Sequence, residues 1–147
     1  MSGMVWIHML GVIVWVGGMF FAHVCLRPVV VAQLAPPQRL PLLAAVLGRF
    51  FTAVGIAIAV ILFTGFLRYG QLGGMQAAWH WQAMAVTGSV MTAIFLVIAL
   101  RYYPRLKAAV AKQDWPAGGA AMDVIRQLVL VNLILGVATV VLAGAGN

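Results

Sequence analysis

Charged side chains are scarce in this sequence, and acidic ones are almost absent. Only 7% of the 147 residues are charged and only 2 of them are Asp or Glu, whereas 65% are hydrophobic. A soluble domain carries roughly a quarter charged residues, because water has to solvate its surface. The composition therefore excludes an ordinary soluble globular protein and predicts a chain whose surface is covered by lipid.

The side chains of a disulfide-based or hydrolytic site are lacking as well. The single cysteine, Cys25, excludes an intramolecular disulfide. Both acids, Asp114 and Asp123, fall in one predicted connection, so serine, histidine and acid do not come together as they do in hydrolases. No glycine-rich phosphate-binding loop with its lysine occurs in the sequence.

Long apolar stretches are what the sequence has in abundance. Four of them are long enough to cross about 30 Å of hydrocarbon, and none alternates with period two as membrane β-strands do. They predict helices at about residues 4–26, 42–67, 79–103 and 124–143. The predicted fold class is all-α, an integral membrane four-helix bundle that forms a single domain over residues 1–147. We expect the first helix to be retained, because no basic segment precedes it.

Basic residues are distributed unevenly over the connections. Eight of the nine fall on one side of the predicted bundle and only Arg68 on the other; the eight are Arg27, Arg39, Arg49, Arg101, Arg105, Lys107, Lys112 and Arg126. The positive-inside rule places the eight in the cytoplasm, so both termini are predicted outside a bacterial-type inner membrane. The net charge of +7 is then an insertion signal that needs no nucleic acid, and lipid is the expected partner.

The first cytoplasmic connection is rich in proline. Pro28, Pro36, Pro37 and Pro41 all lie between the first two apolar stretches. Because proline lacks a backbone N–H, these residues predict a broken connection, after which helix two begins as an amphipathic segment over residues 39–51.

Two histidines are predicted at similar depth near the outer face. His8 lies about one turn inside helix one, and His80 begins helix three. If these helices face each other, the two imidazoles form the axial ligands of a b-type haem. Gly11 leaves room for a flat macrocycle, Trp15 continues the same helix face, and Arg68 is positioned to pair with a propionate.

Each of these residues also has a structural interpretation. Gly11 is typical of close packing between membrane helices. His80 is flanked by Trp79 and Trp81, a pattern that indicates an interfacial anchor. Arg68 at a helix end is equally typical of a side chain that extends to the lipid headgroups.

Methionine gives a second metal hypothesis, since thioethers bind Cu(I). Met84 and Met91 share a face of helix three and, with His8 and His80, form a candidate copper site. The sulfur atoms of helix one extend this candidate path, and they belong to Met4, Met19 and Cys25. The structural interpretation is that methionine fills apolar space. His23 lies about 22 Å from His8 along helix one, too far to share a metal, and is interpreted as an interfacial residue.

The run from His8 to Gly18 resembles the H-x6-W-x-G pattern that begins CopD-type copper-resistance membrane domains, and HemJ-type protoporphyrinogen oxidases show a related pattern. The stretch from Arg126 to Gly136 resembles the last CopD helix. The resemblance implies a four-helix bundle and, on the HemJ side, a haem bound through His8. HemJ-type proteins carry a lysine near the start of helix three. Residues 79–84 contain none, which favours the CopD-like branch.

Three functions follow from these observations. The leading hypothesis is a small haem b protein with His8 and His80 as axial ligands, which transfers electrons with a quinone or another redox partner. The haem b hypothesis does not decide whether the protein is a haem-dependent oxidoreductase, and it does not predict the oligomeric state. The alternative is CopD-like copper binding or transport through His8, His80, Met84 and Met91. The third is a structural or assembly subunit in which the histidines are incidental.

Overall fold

A computed structural model describes residues 3–76 and 78–145 of the chain, and within them it contains four long helices and no strand. The helices are α1 (Gly3–Gln33), α2 (Pro36–Gln71), α3 (Trp79–Ala111) and α4 (Trp115–Ala145). Each is long and apolar enough to cross a membrane. The predicted all-α four-helix membrane bundle is therefore confirmed.

The helices extend beyond the predicted apolar spans at one end of the bundle. Helix two was predicted to begin at residue 42, and α2 begins at Pro36. Helix three was predicted to end at residue 103, and α3 ends at Ala111. Helix four was predicted to begin at residue 124, and α4 begins at Trp115. Hydropathy detects only the part of a helix that lies in hydrocarbon, whereas alanine-rich and basic segments continue the helical backbone into the polar interface.

Two helices contain π-helical segments, each followed closely by a proline. Residues Phe21–Leu26 of α1 and Ile98–Tyr102 of α3 have π-helical hydrogen bonding. Pro28 and Pro104 then fall in the first turn of the α-helical segments that follow. A proline is tolerated there because its missing N–H falls where the α-helical ladder is already interrupted.

The predicted break at the first connection is much shorter than its prolines suggested. Only Leu34 and Ala35 separate α1 from α2, while Pro28 lies inside α1 and Pro41 inside α2. Pro36 begins α2, a position that needs no backbone N–H. The broken connection is therefore limited to two residues, because Pro28 is helical and Pro36 begins α2, while Pro41 lies inside helix two as the predicted start at residue 39 implies.

The helices alternate in direction and pack in a ring. α1 packs against α2 and α4, and α3 packs against α4 and α2, so that α1 and α3 stand diagonally across the bundle. The end that holds Gly3, Gln71, Trp79 and Ala145 is called the terminal end below. The opposite end carries eight of the nine basic residues and is called the basic end.

Among the described residues the buried core is apolar except at Thr64 and Asn132, and the outward surface is apolar as well. Large side chains such as Ile56, Phe63 and Leu100 point away from the protein. The buried core residues include Trp15, Met19, Leu40, Leu47, Val54, Ile58, Met91, Ile98, Leu106, Ile125, Val129 and Leu133. Apolar side chains on both sides of each helix are what a lipid-embedded bundle requires.

Candidate functional site

His8 is held at the seam between α1 and α2, near the terminal end. Its Nδ1 lies 2.9 Å from the hydroxyl oxygen of Thr64, and the ring is half-buried. Gly65 makes room for the ring, because a Cβ at that position would lie 3.1 Å from the His8 Cε1. The close approach of the two helices therefore fixes the position of the imidazole.

The hydrogen bonds of Thr64 determine which ring nitrogen of His8 carries the proton. The Thr64 hydroxyl oxygen lies 2.7 Å from the carbonyl oxygen of Val60, a distance that requires a proton between the two atoms. The carbonyl has none to give, so the hydroxyl donates to Val60 and accepts from His8. Nδ1 of His8 is then the protonated nitrogen, and Nε2 carries the lone pair of the neutral ring. This is the arrangement in which a second hydrogen bond orients a metal-binding histidine.

Arg68 lies one helical turn beyond Thr64, on the same face of α2 and at the terminal end. The neighbouring loop is fixed by hydrogen bonds. The Tyr69 hydroxyl donates to Oε1 of Gln82, whose Nε2 donates to the carbonyl of Gly74 over 2.8 Å. Arg68 therefore lies near the end of the seam that contains His8, and it is half-buried. A contact with a haem propionate remains a prediction.

His80 begins α3 and its ring contacts are with its own neighbours in sequence. The ring centroids of Trp79 and Trp81 lie 5.9 Å and 5.5 Å from that of His80. α3 stands diagonally from α1, so His80 and His8 approach the terminal end from opposite corners of the bundle. Across residues 3–76 and 78–145, no three His, Cys, Asp or Glu side chains gather as a metal-binding group. Axial pairing of the two histidines remains a prediction.

The space beside Gly11 is filled by α2. A Cβ on this residue would lie 2.8 Å from Cγ1 of Ile61 and 3.2 Å from the carbonyl oxygen of Ala57. α2 therefore packs directly against Gly11, and a macrocycle against this residue remains a prediction. Trp15, one turn further along α1, is buried in the hydrophobic core.

A second polar position lies deeper, between α3 and α4. Asn132 is only 1% exposed, and its Nδ2 donates to the carbonyl oxygen of Met91 over 3.0 Å. Its Oδ1 is buried without a hydrogen-bond partner. Leaving such an acceptor unpaired costs about 1–3 kcal/mol. A water or cation bound at this oxygen would remove that cost.

Two methionines are fully enclosed in the core of the bundle. Met19 of α1 is 2% exposed and Met91 of α3 is 3% exposed, whereas Met84 is half-buried. Gly136 of α4 brings the helices together here, because its own Cβ would lie 3.2 Å from Cε of Met91. The core therefore places Met91, which carries a soft thioether, next to Asn132.

Each helix contributes one polar side chain at similar depth from the terminal end. Thr139 of α4 lies 2.8 Å from Thr87 of α3, hydroxyl to hydroxyl, and forms a 2.7 Å hydrogen bond with the carbonyl of Leu135. With His8 and Thr64, these residues lie roughly 8–12 Å from the helix ends, at 1.5 Å per residue. Sequence reasoning missed Thr64, Thr87 and Thr139. The available signal was a hydroxyl inside an apolar span.

His23 lies in the π-helical segment of α1, far from His8 and close to Arg27 and Arg126 at the basic end. The neighbouring Cys25 is exposed. Neither residue therefore belongs to the site near the terminal end.

The chain is similar to a known protein family. A family model described as Copper resistance protein D matches residues 44–145, which include Thr64, Arg68, His80, Met91 and Asn132 but not His8. No curated protein and no solved structure matches the chain.

Proposed function

The chain belongs to the copper resistance protein D family, and on that premise we propose that its bundle binds Cu(I) and passes it across the inner membrane. The observation that carries this proposal is the hydrogen bond between Nδ1 of His8 and Thr64, and in the proposal Nε2 is the nitrogen that binds copper. In the proposed topology the termini are outside, because eight of the nine basic residues lie at the opposite end.

His8 is proposed as the first ligand that copper meets. A neutral imidazole binds copper through the nitrogen that carries no proton. An uncharged histidine is also the form that an apolar span favours, because burial of an unpaired charge is costly. In this proposal His80 and Met84, on the diagonal helix α3, are further candidate ligands near the terminal end.

Met91 and Met19 are proposed as the next ligands. Counted from the terminal end, Met91 lies seven residues further into α3 than His8 lies into α1. This difference corresponds to about 10 Å along the bundle axis. Thioether sulfur selects Cu(I) over harder cations. The unpaired Oδ1 of Asn132 supports a cation-binding role for the same region, because a carbonyl oxygen stabilises positive charge.

The test is a Cu(I) competition titration of the purified protein against a chromophoric chelator, without oxygen. We expect His8→Ala and Met91→Leu each to weaken Cu(I) binding by about tenfold or more. Met9→Leu is the matched control, because Met9 follows His8 directly but is 42% exposed. Unchanged affinity in both His8→Ala and Met91→Leu would refute the proposal. X-ray absorption of the bound Cu(I) should show sulfur ligation that Met91→Leu reduces.

The same preparation tests the haem b hypothesis. Two axial histidines would give a sharp Soret band and a split α/β pair on reduction, and both features would depend on His8 and His80. We expect protein from haem-replete cells to bind Cu(I) without this spectrum. A Soret band that is lost in both His8→Ala and His80→Ala would replace the copper proposal with the haem hypothesis.

A further inference from the structure

Three helices bring arginines together around a small cavity at the basic end. Arg27 of α1, Arg39 of α2 and Asp123 of α4 line a cavity of about 100 Å³, and Arg126 lies one turn along α4 from it. The rest of the lining is uncharged and consists of Val31, Leu40, Leu43, Gly119 and Met122. The cavity is therefore polar on its arginine side and apolar elsewhere.

The charges around this cavity are not balanced. Both carboxylate oxygens of Asp123 are engaged by α4 itself, because Oδ1 accepts from the Arg126 guanidinium and Oδ2 accepts from Nε2 of Gln127 over 3.4 Å. Three guanidinium groups thus face one carboxylate, with the imidazole of His23 close to Arg27 and Arg126. Nε of Arg27 is buried and has no hydrogen-bond partner. The lining of the cavity therefore carries an excess of positive charge.

The size and donor set of the cavity indicate the kind of anion. Arginine presents a planar fork of N–H groups that matches the oxygens of a phosphate group. A cavity of about 100 Å³ accommodates a single phosphate group but not a nucleotide. The apolar lining on α1, α2 and α4 suits the carbon atoms attached to a phosphate ester.

We propose that Arg27 and Arg39 bind the phosphate of an anionic phospholipid from the leaflet at the basic end. Arg27 lies about 36 Å along α1 from Gly3, which is the level of the headgroups when the helix crosses about 30 Å of hydrocarbon. Val24 and Val31 are exposed on α1 about one turn to either side of the arginine, where an acyl chain would contact them. Basic pockets between membrane helices are typical headgroup sites.

This site is tested with delipidated protein in detergent, titrated with short-chain phosphatidylglycerol while tryptophan fluorescence and the thermal midpoint are followed. We expect Arg27→Gln and Arg39→Gln each to weaken binding by about tenfold or more, since each removes a charge-assisted contact. Arg105→Gln is the matched control. It removes one charge at the same end, from a residue that stacks on Tyr102 outside this cavity. We expect it to change binding by less than about twofold.

Phosphatidylcholine and inorganic phosphate complete the experiment. Equal binding of phosphatidylcholine, or unchanged phosphatidylglycerol binding in both arginine variants, would overturn the proposal. Inorganic phosphate that binds as tightly as the lipid and competes with it would identify free phosphate as the ligand and would also overturn the lipid assignment. If Arg27→Gln fails to fold, Arg39→Gln decides the outcome, because Arg39 lies near the start of α2 and outside the deeply buried core.

Discussion

Replacement of Thr64 by valine separates the orientation of His8 from its presence. Valine keeps the β-branched shape of threonine but removes the oxygen that lies 2.9 Å from Nδ1 of His8. The variant retains every candidate copper ligand, so a change in Cu(I) affinity reports on the hydrogen bond alone.

The size of the effect follows from the hydrogen bond. A half-buried imidazole N–H that loses its acceptor costs about 1–3 kcal/mol, and less where the backbone of Ile61, which also hydrogen-bonds with His8, replaces the hydroxyl. Loss of an orienting partner of a metal-bound histidine lowers metal affinity by about 10–100-fold. We therefore expect Thr64→Val to weaken Cu(I) binding within that range. Thr64→Ser, which keeps the hydroxyl, should restore most of the affinity.

The assay is the Cu(I) competition titration, with thermal unfolding to confirm that the bundle is intact. Thr52→Val is the matched control. Thr52 also donates to the carbonyl four residues before it in α2, that of Gly48, over 3.1 Å, but it is exposed. If Thr64→Val binds Cu(I) like the unmodified protein while His8→Ala does not, the orientation argument is refuted and His8 acts without Thr64.

Three further predictions follow from the packing and the topology. Gly11→Val should destabilise the bundle by about 1–3 kcal/mol, because the valine side chain meets α2. Gly17→Ala should leave the thermal midpoint unchanged, because nothing lies within 4 Å of the added Cβ. Equal effects of the two substitutions would contradict this packing. Asn132→Leu should weaken Cu(I) binding without lowering the thermal midpoint of the metal-free protein. The substitution removes one hydrogen bond, but it also removes a buried oxygen that has no partner. A lowered thermal midpoint would show that the Asn132 amide has a structural role. In a Cys25→Ser background, a membrane-impermeant maleimide should label Met75→Cys in intact spheroplasts and Lys112→Cys only after permeabilisation, and the reverse pattern would invert the proposed topology.

The sequence predicted the four helices because lipid imposes a strong and local constraint. A span of about 20 apolar residues is visible in any window of the chain. The helix ends were less predictable, because the backbone stays helical after hydropathy falls, as it does from residue 103 to Ala111 in α3. The prolines misled for a similar reason. Pro28 follows a π-helical segment, and no local rule announces such a segment.

The candidate site was only half visible in the sequence. His8 was conspicuous because a histidine inside an apolar span is costly unless it has a role or a partner. Its partner, Thr64, depends on how α1 meets α2, and that register is set by contacts at Gly11 and Gly65. Likewise, the pairing of His8 with His80 required knowledge of which helices are neighbours. Such relationships arise from the packing of the whole bundle and from no single segment.

The proposed copper site and the proposed lipid site lie at opposite ends of the bundle, and electrostatics links them. A cation about 10 Å from one unpaired arginine is repelled by about 2 kcal/mol at an effective dielectric constant of 20. Arg27 and Arg39 together would thus disfavour Cu(I) at the basic end by a factor of more than about 100, at 1.4 kcal/mol for each tenfold. A phosphate bound between them cancels at least one of these charges. Transport across vesicles should therefore require anionic lipid, whereas Cu(I) binding at His8 in detergent should not, because the two ends are separated by about 30 Å of hydrocarbon.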